Sequence, residues 1–183
     1  MSRAALVLLP PGFSESELGV TLGVLRAGGF TVATAGVGQQ PVRGEGGLTV
    51  LPDLGLDGLS RYGMEALIIP GFTTLDSVYS EPSWDVAIRE VGSRPEVTVA
   101  AISAGVYLVA RAGIMGSARW TAPWSAADCR ALGVFREAWR QEASLVRDGR
   151  FITALGWAHL EFAFALGDAL QIPYRREQFT TRG

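Results

Sequence analysis

The sequence predicts an α/β fold in which a mainly parallel β-sheet is covered by helices on both faces. Short runs of apolar and β-branched residues alternate along the chain with segments of helical periodicity, and this alternation is typical of βαβ units, whose strands run parallel. The strand-like runs are also apolar at almost every position, as expected for strands buried on both faces. They span residues 4–9, 30–35, 66–69 and 97–102.

The first helix follows the first strand after two prolines. Ser14 or Ser16 is expected to cap its N-terminus, because serine is a leading N-cap residue. The acidic Glu15 and Glu17 suit its first turn, where the helix dipole is positive. Leucines then recur at helical spacing until two consecutive glycines end the helix.

The remaining elements follow in the same alternation. A glycine-rich stretch from 36 to 47 and an apolar stretch from 48 to 51 predict a hairpin-like excursion, without the spacing of a phosphate-binding loop. Asp148-Gly149 predicts a tight turn between strands at 144–147 and 151–154. A short strand is expected at Trp120 and Thr121, and further helices at 83–91, 104–112, 126–132 and 159–170.

Composition limits the class of protein. A chain of 183 residues with 48% hydrophobic and 19% charged residues fits one globular domain over 1–183, with an irregular tail from about residue 173. The net charge of −2 excludes a basic field for nucleic acid or for an anionic membrane. The only cysteine, Cys129, and the lack of a signal-peptide pattern favour the cytoplasm. With His159 as the only histidine, neither a metal nor another cofactor is predicted.

Ser103 lies where the strand at 97–102 passes into a helix without a loop. Ala101 and Gly105 supply small side chains two residues before and after it, as in the A-x-S-x-G relative of the G-x-S-x-G nucleophile elbow. The N–H groups and dipole of the following helix favour negative charge at this point. The alternative is that Ser103 only caps that helix.

Four motifs in this order resemble the DJ-1/PfpI superfamily of class I glutamine amidotransferase-like proteins. They are ALIIPG at 66–71, AAISAG at 100–105, AGIMG at 112–116 and FITALG at 151–156. The resemblance extends from Ala4 to about Leu170. It implies a flavodoxin-like sandwich, a homodimer, and the hydrolase chemistry of PfpI-type intracellular proteases and amidases.

The chain departs from the superfamily at the elbow, where the usual residue is cysteine and this chain has Ser103. Cys129 lies far from any elbow-like sequence and cannot replace it. A thiol at such a turn ionises readily, whereas a hydroxyl does not do so near neutral pH. Activities that need a thiolate, such as sulfenate-based redox sensing and glyoxal chemistry, should therefore be lost or severely weakened.

The resemblance also assigns partners to Ser103. Glu17 matches the acidic residue that contacts the elbow nucleophile, although a carboxylate here also suits a helix start. Gly71-Phe72 stands where the superfamily usually has two glycines, and the N–H groups of Phe72 and Ala104 can face an oxyanion. The Phe72 ring is equally well explained as a packing aromatic.

His159 is the only candidate imidazole base. It precedes Glu161 by two residues, and glutamine amidotransferases place a His-x-Glu pair in a comparable late-strand region, so the resemblance offers a triad of Ser103, His159 and Glu161 as one alternative. The pattern is short, and a lone histidine at a helix start is often a surface or capping residue.

Three functions stay open, and with them the question of enzymatic activity. The favoured one is a catalytically impaired member that binds a small ligand in a stress-related role. The second is a small-molecule amidase or hydrolase that uses Ser103 and His159. The third is a family enzyme whose cysteine has been replaced. Proteolysis is not expected, because nothing in the sequence indicates a peptide-length groove.

Overall fold

The computed structural model describes residues 3–180, so residues 1–2 and 181–183 of the predicted domain lie outside it. The strands are β1 Ala4–Leu8, β2 Thr31–Gly36, β3 Val42–Arg43, β4 Thr49–Val50, β5 Leu54–Gly55, β6 Ala66–Ile69, β7 Thr98–Ile102, β8 Leu145–Asp148 and β9 Phe151–Ala154. Seven of them form one sheet in the order β5-β2-β1-β6-β7-β9-β8, and β3 pairs with β4 in a separate hairpin. Within the seven-stranded sheet only the β8–β9 pair is antiparallel.

Helices cover both faces of the sheet, which confirms the predicted flavodoxin-like α/β fold. They are α1 Glu15–Ala27, α2 Asp76–Tyr79, α3 Ser83–Gly92, α4 Gly105–Ala112, α5 Ala126–Leu132 and α6 His159–Ala169. Helices α1 and α6 pack together on one face, and α3 and α4 pack together on the other.

Alternate residues of each core strand supply the two faces. In β1, Leu6 and Leu8 join the core under α3 and α4, whereas Ala5 and Val7 join the core under α1 and α6. Successive side chains of a strand point to opposite faces, so a strand packed on both sides must be apolar throughout. Each fully buried leucine or valine stabilises the fold by roughly 1.5–3 kcal/mol.

The structure differs from the sequence predictions where elements are very short. The strand expected at Trp120 and Thr121 is wrong, because Trp120 forms only an isolated bridge with Arg140. The single-turn helix α2 and the two-residue strand β5 carry too few residues to show a period, and the sequence did not predict them. Ser14 occupies the N-cap position of α1 without capping it, since its hydroxyl bonds the hydroxyl of Ser16 at 3.0 Å.

Several features bear on compartment and cofactors. Cys129 is buried and forms no disulfide. Between residues 3 and 180, no helix combines the length and apolarity needed to cross a bilayer. The same part of the chain holds no group of three or more histidine, cysteine or acidic side chains able to bind a metal ion.

Candidate functional site at the carboxyl ends of the strands

Ser103 forms the sharp turn between β7 and α4. Its φ of 53° lies in the left-handed region, which costs a non-glycine residue roughly 1–2 kcal/mol. Its N–H donates to the carbonyl oxygen of Ala154 at 2.8 Å, which ties the turn to the end of β9. Ala104, not Ser103, occupies the N-cap position of α4, so the capping alternative does not describe this turn.

Small residues around the turn are required by close approach of the neighbouring loop. A methyl group on Gly105 would collide with the carbonyl oxygens of Ile69 and Pro70. A methyl group on Gly71 would lie 2.7 Å from Ser103 Cβ and 2.7 Å from Glu17 Oε2. The elbow spacing predicted the small residue at 105, and this packing is its physical reason.

Glu17 is a buried carboxyl beside this turn. Only 6% of the residue is exposed, and Oε2 accepts a hydrogen bond from the N–H of Gly71 at 2.6 Å. Burial raises the pKa of Glu17 to about 7, the hydrogen bond from Gly71 opposes that rise, and the charge of Glu45 adds to it. The carboxyl therefore keeps its proton to a higher pH than an ordinary glutamic acid does.

Gly156 completes the group, and the sequence analysis gave it no role. A methyl group placed on Gly156 would lie 2.7 Å from Glu17 Oε1 and 3.4 Å from Ser103 Oγ. The carboxyl and the hydroxyl thus both lie close to Gly156, and the carboxyl leaves no room for a side chain at that position. Within residues 3–180 the Ser103 hydroxyl has no hydrogen-bond partner. The only available signal was the glycine that ends the FITALG motif.

The backbone N–H groups of the residues that follow Gly71 and Ser103 are unused. Residues on either side of Phe72 bond the loop before α1, with Ser14 N–H donating to Gly71 at 2.9 Å and Thr73 N–H donating to Gly12 at 3.1 Å. The Phe72 N–H itself has no acceptor in the described part of the chain, and neither has that of Ala104. The Phe72 ring is buried in the core, as expected for a packing aromatic, and the role of its N–H toward an oxyanion stays a prediction.

The hairpin of β3 and β4 is fastened next to Glu17. Glu15 Oε2 accepts from the N–H of Gly46 at 2.8 Å, and Oε1 accepts from the N–H of Leu48 at 3.0 Å. Hydrogen bonds from these backbone N–H groups, that of Gly46 above all, lower the pKa of Glu15. Glu45 lies in the turn so held, and its N–H donates to Phe13 at 3.0 Å. Glu15 and Glu17, both in the first turn of α1, therefore have different roles. Glu15 holds the hairpin, and Glu17 lies beside Ser103.

His159 is the first residue of α6 and is half-buried. It follows a 3-10 turn over Gly156–Ala158, so it lies three residues beyond the glycine that approaches Ser103. No side-chain hydrogen bond joins it to Ser103 or Glu161 in the described part of the chain. The structure thus brings Glu17, Gly71 and Ser103 together, and leaves the role of His159 as a base a prediction.

A cleft of about 720 Å³ opens beside Gly156. Two segments form its walls: residues 121–125, which include Trp124, and residues 155–157, which include Trp157. Arg140 and Glu142 line it as well and form an ion pair with each other. Trp157 is 70% exposed. Gly156, the residue that approaches Ser103, therefore also lines a cleft that carries an exposed aromatic ring.

Comparison with known proteins identifies relatives over nearly the whole chain. The sequence model of the DJ-1/PfpI family matches residues 3–169. Protein dj-1beta of Drosophila melanogaster is 27% identical over 172 residues, 93% of this chain and 90% of that protein. The glutathione-independent glyoxalase DJR-1.2 of Caenorhabditis elegans is 39% identical over 70 residues, 38% of each chain. The crystal structure of the DJ-1 superfamily protein Atu0886 from Agrobacterium tumefaciens matches with 25% identity and a TM-score of 0.83, covering 98% of this chain and 95% of that one.

Proposed function

The chain belongs to the DJ-1/PfpI family, and from this premise we propose that it is a catalytically impaired member that binds small carbonyl compounds at Ser103. The observation that carries the proposal is the unpartnered Ser103 hydroxyl, held at a left-handed turn next to the Glu17 carboxyl. A carbonyl oxygen placed there can accept hydrogen bonds from the N–H groups of Phe72 and Ala104, which the protein leaves unused.

The serine separates this chain from thiol-dependent activity. One relative is named as a glutathione-independent glyoxalase. The resemblance implies that such chemistry uses an elbow thiolate, and a hydroxyl stays protonated at the pH where a thiol at this kind of turn ionises. The pocket groups remain in place without that nucleophile, so binding is retained while turnover is lost.

Binding can be tested on the backbone donors themselves. Titration with acetamide should shift the amide NMR signals of Phe72 and Ala104, because these N–H groups acquire an acceptor. Ser103→Leu should abolish the shifts by adding bulk next to the Glu17 carboxyl, whereas Ser93→Leu, at an exposed position after α3, should not. Unchanged signals for Phe72 and Ala104 at saturating acetamide would exclude the proposed carbonyl site.

Loss of thiol chemistry has a matching test. The natural chain should not consume methylglyoxal, and Ser103→Cys should gain measurable consumption. Ser103→Cys should gain this activity whether the serine arose in evolution or was introduced in place of a natural cysteine. The genomic sequence distinguishes these two origins of the serine. Consumption by the natural chain that disappears in Ser103→Ala would contradict the proposed impairment.

A serine-dependent amidase or hydrolase is the second candidate, and the pKa of Glu17 near 7 favours it. Ser103 Oγ would attack the substrate carbonyl carbon while its proton passes to Glu17 or His159. The amine or alcohol would then leave with that proton, and water would hydrolyse the acyl ester. A fluorophosphonate probe should then label the natural chain but not Ser103→Ala. Loss of labelling in Glu17→Gln, or instead in His159→Asn, would identify the base.

Homodimerisation is proposed from family membership and from the surface around the hairpin. Leu22, Leu48 and Leu51 are exposed there, and Leu22 and Leu48 line a mainly apolar cavity between α1 and the hairpin. Light scattering should give the mass of a dimer for the natural chain and of a monomer for Leu48→Glu. Val86→Glu on α3 is the control, because Val86 is exposed on the opposite face. A monomeric natural chain would refute the proposal.

A cytoplasmic, stress-related role completes the proposed function. The buried, unpaired Cys129 suits a reducing compartment. Fractionation of the source cells should recover the chain with cytoplasmic markers, and carbonyl stress should raise its amount. Recovery in another compartment would contradict the cytoplasmic location. An unchanged amount under carbonyl stress would contradict the stress-related role.

A further inference from the structure

We infer that the cleft beside Ser103 selects neutral acyl compounds that carry a planar apolar group, and that this group stacks on the ring of Trp157. The inference rests on the proposed carbonyl site and adds the class of substituent that the site accepts. It follows from the position of the cleft, from the state of Trp157 and from the charge of the lining.

The cleft and the surroundings of Ser103 have one residue in common. Gly156 is the residue that approaches Ser103 Oγ, and it also lines the cleft together with Leu155 and Trp157. Gly156 is thus shared by the cleft and the surroundings of Ser103, so a carbonyl compound at Ser103 that extends past Gly156 reaches the indole of Trp157. The volume of about 720 Å³ lies in the range of ligand sites, roughly 300–1,000 Å³.

Trp157 differs from the other tryptophans of this region. Trp120 is 1% exposed and stacks on Phe135 with ring centroids 4.7 Å apart. Trp157 is 70% exposed, and its ring contacts no other aromatic ring among residues 3–180. A large indole face left open at the edge of a cleft offers a stacking surface to a planar ligand.

The opposite wall is fixed. Trp124 packs edge-on against Tyr107 with ring centroids 6.4 Å apart and lies 5.9 Å from Phe135. Its carbonyl oxygen accepts a hydrogen bond from Arg140 Nη2 at 3.1 Å. An apolar group that enters the cleft thus meets a preformed wall, which lowers the ordering cost of binding.

Charge favours a neutral substituent. Arg140 and Glu142 are the two charged residues of the lining, and they are paired with each other. An ionised substituent would have to compete with one member of this pair, whereas a neutral ring leaves the pair intact.

Three primary amides that differ in their substituent test the inference. Their affinities can be measured by calorimetry or from the NMR shifts of the backbone N–H groups of Phe72 and Ala104. 2-Phenylacetamide should bind roughly tenfold more tightly than acetamide, because a buried ring adds apolar area and stacking. 2-Cyclohexylacetamide, similar in size but not planar, should bind about threefold more weakly than 2-phenylacetamide, because it cannot stack. Equal affinity for the phenyl and cyclohexyl compounds would overturn the stacking inference.

Variants locate the effect. Trp157→Ala should reduce the preference for phenyl over cyclohexyl to none, and Trp157→Phe should keep it. Trp139→Ala is the matched control, since Trp139 is 39% exposed and does not line the cleft.

The outcomes separate this inference from the proposed function. If all three amides shift Phe72 and Ala104 with equal affinity, the carbonyl site stands and the planar selectivity fails. If none of them does, both fail. If Trp157→Ala leaves binding unchanged but converts a dimer to a monomer, Trp157 belongs to a subunit interface and the inference is overturned.

Discussion

The Glu17 carboxyl accepts the N–H of Gly71 across 2.6 Å and so joins the first turn of α1 to the loop after β6. The same carboxyl lies beside Ser103 and is shielded from water. The protonation state of Glu17 is therefore coupled to the stability of the fold.

Glu17→Gln should remove a pH dependence of folding. The folded chain holds the Glu17 proton up to about pH 7, whereas an ordinary glutamic acid releases it near 4.5. The folded state then binds more protons than the unfolded state between these pH values, so the free energy of unfolding falls as pH rises through them. At about pH 8 the glutamine variant should be more stable by roughly 2–3 kcal/mol, and urea unfolding across this range measures it.

Glu177→Gln is the control for this measurement. Glu177 is exposed in a 3-10 turn near the C-terminus, and its replacement should leave the pH slope unchanged. Identical slopes for the natural chain and Glu17→Gln would show that the carboxyl titrates at its ordinary pKa.

Glu45→Gln should lower the pKa of Glu17. The charge of Glu45 is one of the two causes that raise this pKa, after burial, and glutamine removes the charge. A carbon-13 NMR titration of the Glu17 carboxyl measures the change directly. Glu142→Gln, in the wall of the cleft, should not move it, because Glu142 is not among the causes of the shift, and an unchanged pKa in Glu45→Gln would refute the coupling.

Gly71→Ala should destabilise the fold by about 1–3 kcal/mol. The added methyl would lie 2.7 Å from Glu17 Oε2 and from Ser103 Cβ, so one of the three must shift. Gly19→Ala in α1 is the matched change, because a methyl there meets nothing within 4 Å. It should stabilise the helix by about 0.5–1 kcal/mol, and equal effects in urea unfolding would contradict the predicted crowding.

Ser103→Gly should be more stable than Ser103→Ala by up to about 1 kcal/mol. The φ of 53° strains alanine but not glycine. At Ala127, exposed in the right-handed helix α5, glycine should instead cost about 1 kcal/mol. If Ser103→Gly is the less stable of the pair, the left-handed turn is not retained in solution.

Glu15→Ala should loosen the β3–β4 hairpin. The variant loses the acceptors for the N–H groups of Gly46 and Leu48, so these amides should exchange with deuterium faster. The pKa of Glu15 is lowered, so its anchoring is complete above pH 4.5 and fades as pH falls through the folded value. Glu137→Ala, which breaks an exposed ion pair with Arg130, should leave both amides unchanged. Unaltered exchange in Glu15→Ala would argue against the anchor.

The sequence predicts the bounds of a helix or strand well where the local pattern of residues decides them. Ala66–Ile69 and Ala126–Leu132 have the predicted bounds, because an unbroken apolar run and a bounded helical segment leave little choice. The turn at Ser103 was also predictable, since it needs small residues at fixed local spacing.

The rest of the site depends on contacts between distant parts of the chain. Nothing local to Gly156 shows that it lies against Ser103, and nothing local to Glu45 shows that its charge reaches Glu17. Sequence patterns likewise did not distinguish the exposed Trp157 from the buried Trp120, because strand register and loop path decide their exposure.

The hydrogen bond from the Ser103 N–H to the Ala154 carbonyl has a practical consequence. The groups that would hold a ligand come from loops far apart along the chain, and Glu17 bonds a residue 54 positions away. Such a pocket exists only once the strands are in register, so a ligand binds the native state alone and raises the melting temperature of the whole domain. A thermal-shift screen of the purified chain can therefore search for its natural ligand without any assay of turnover.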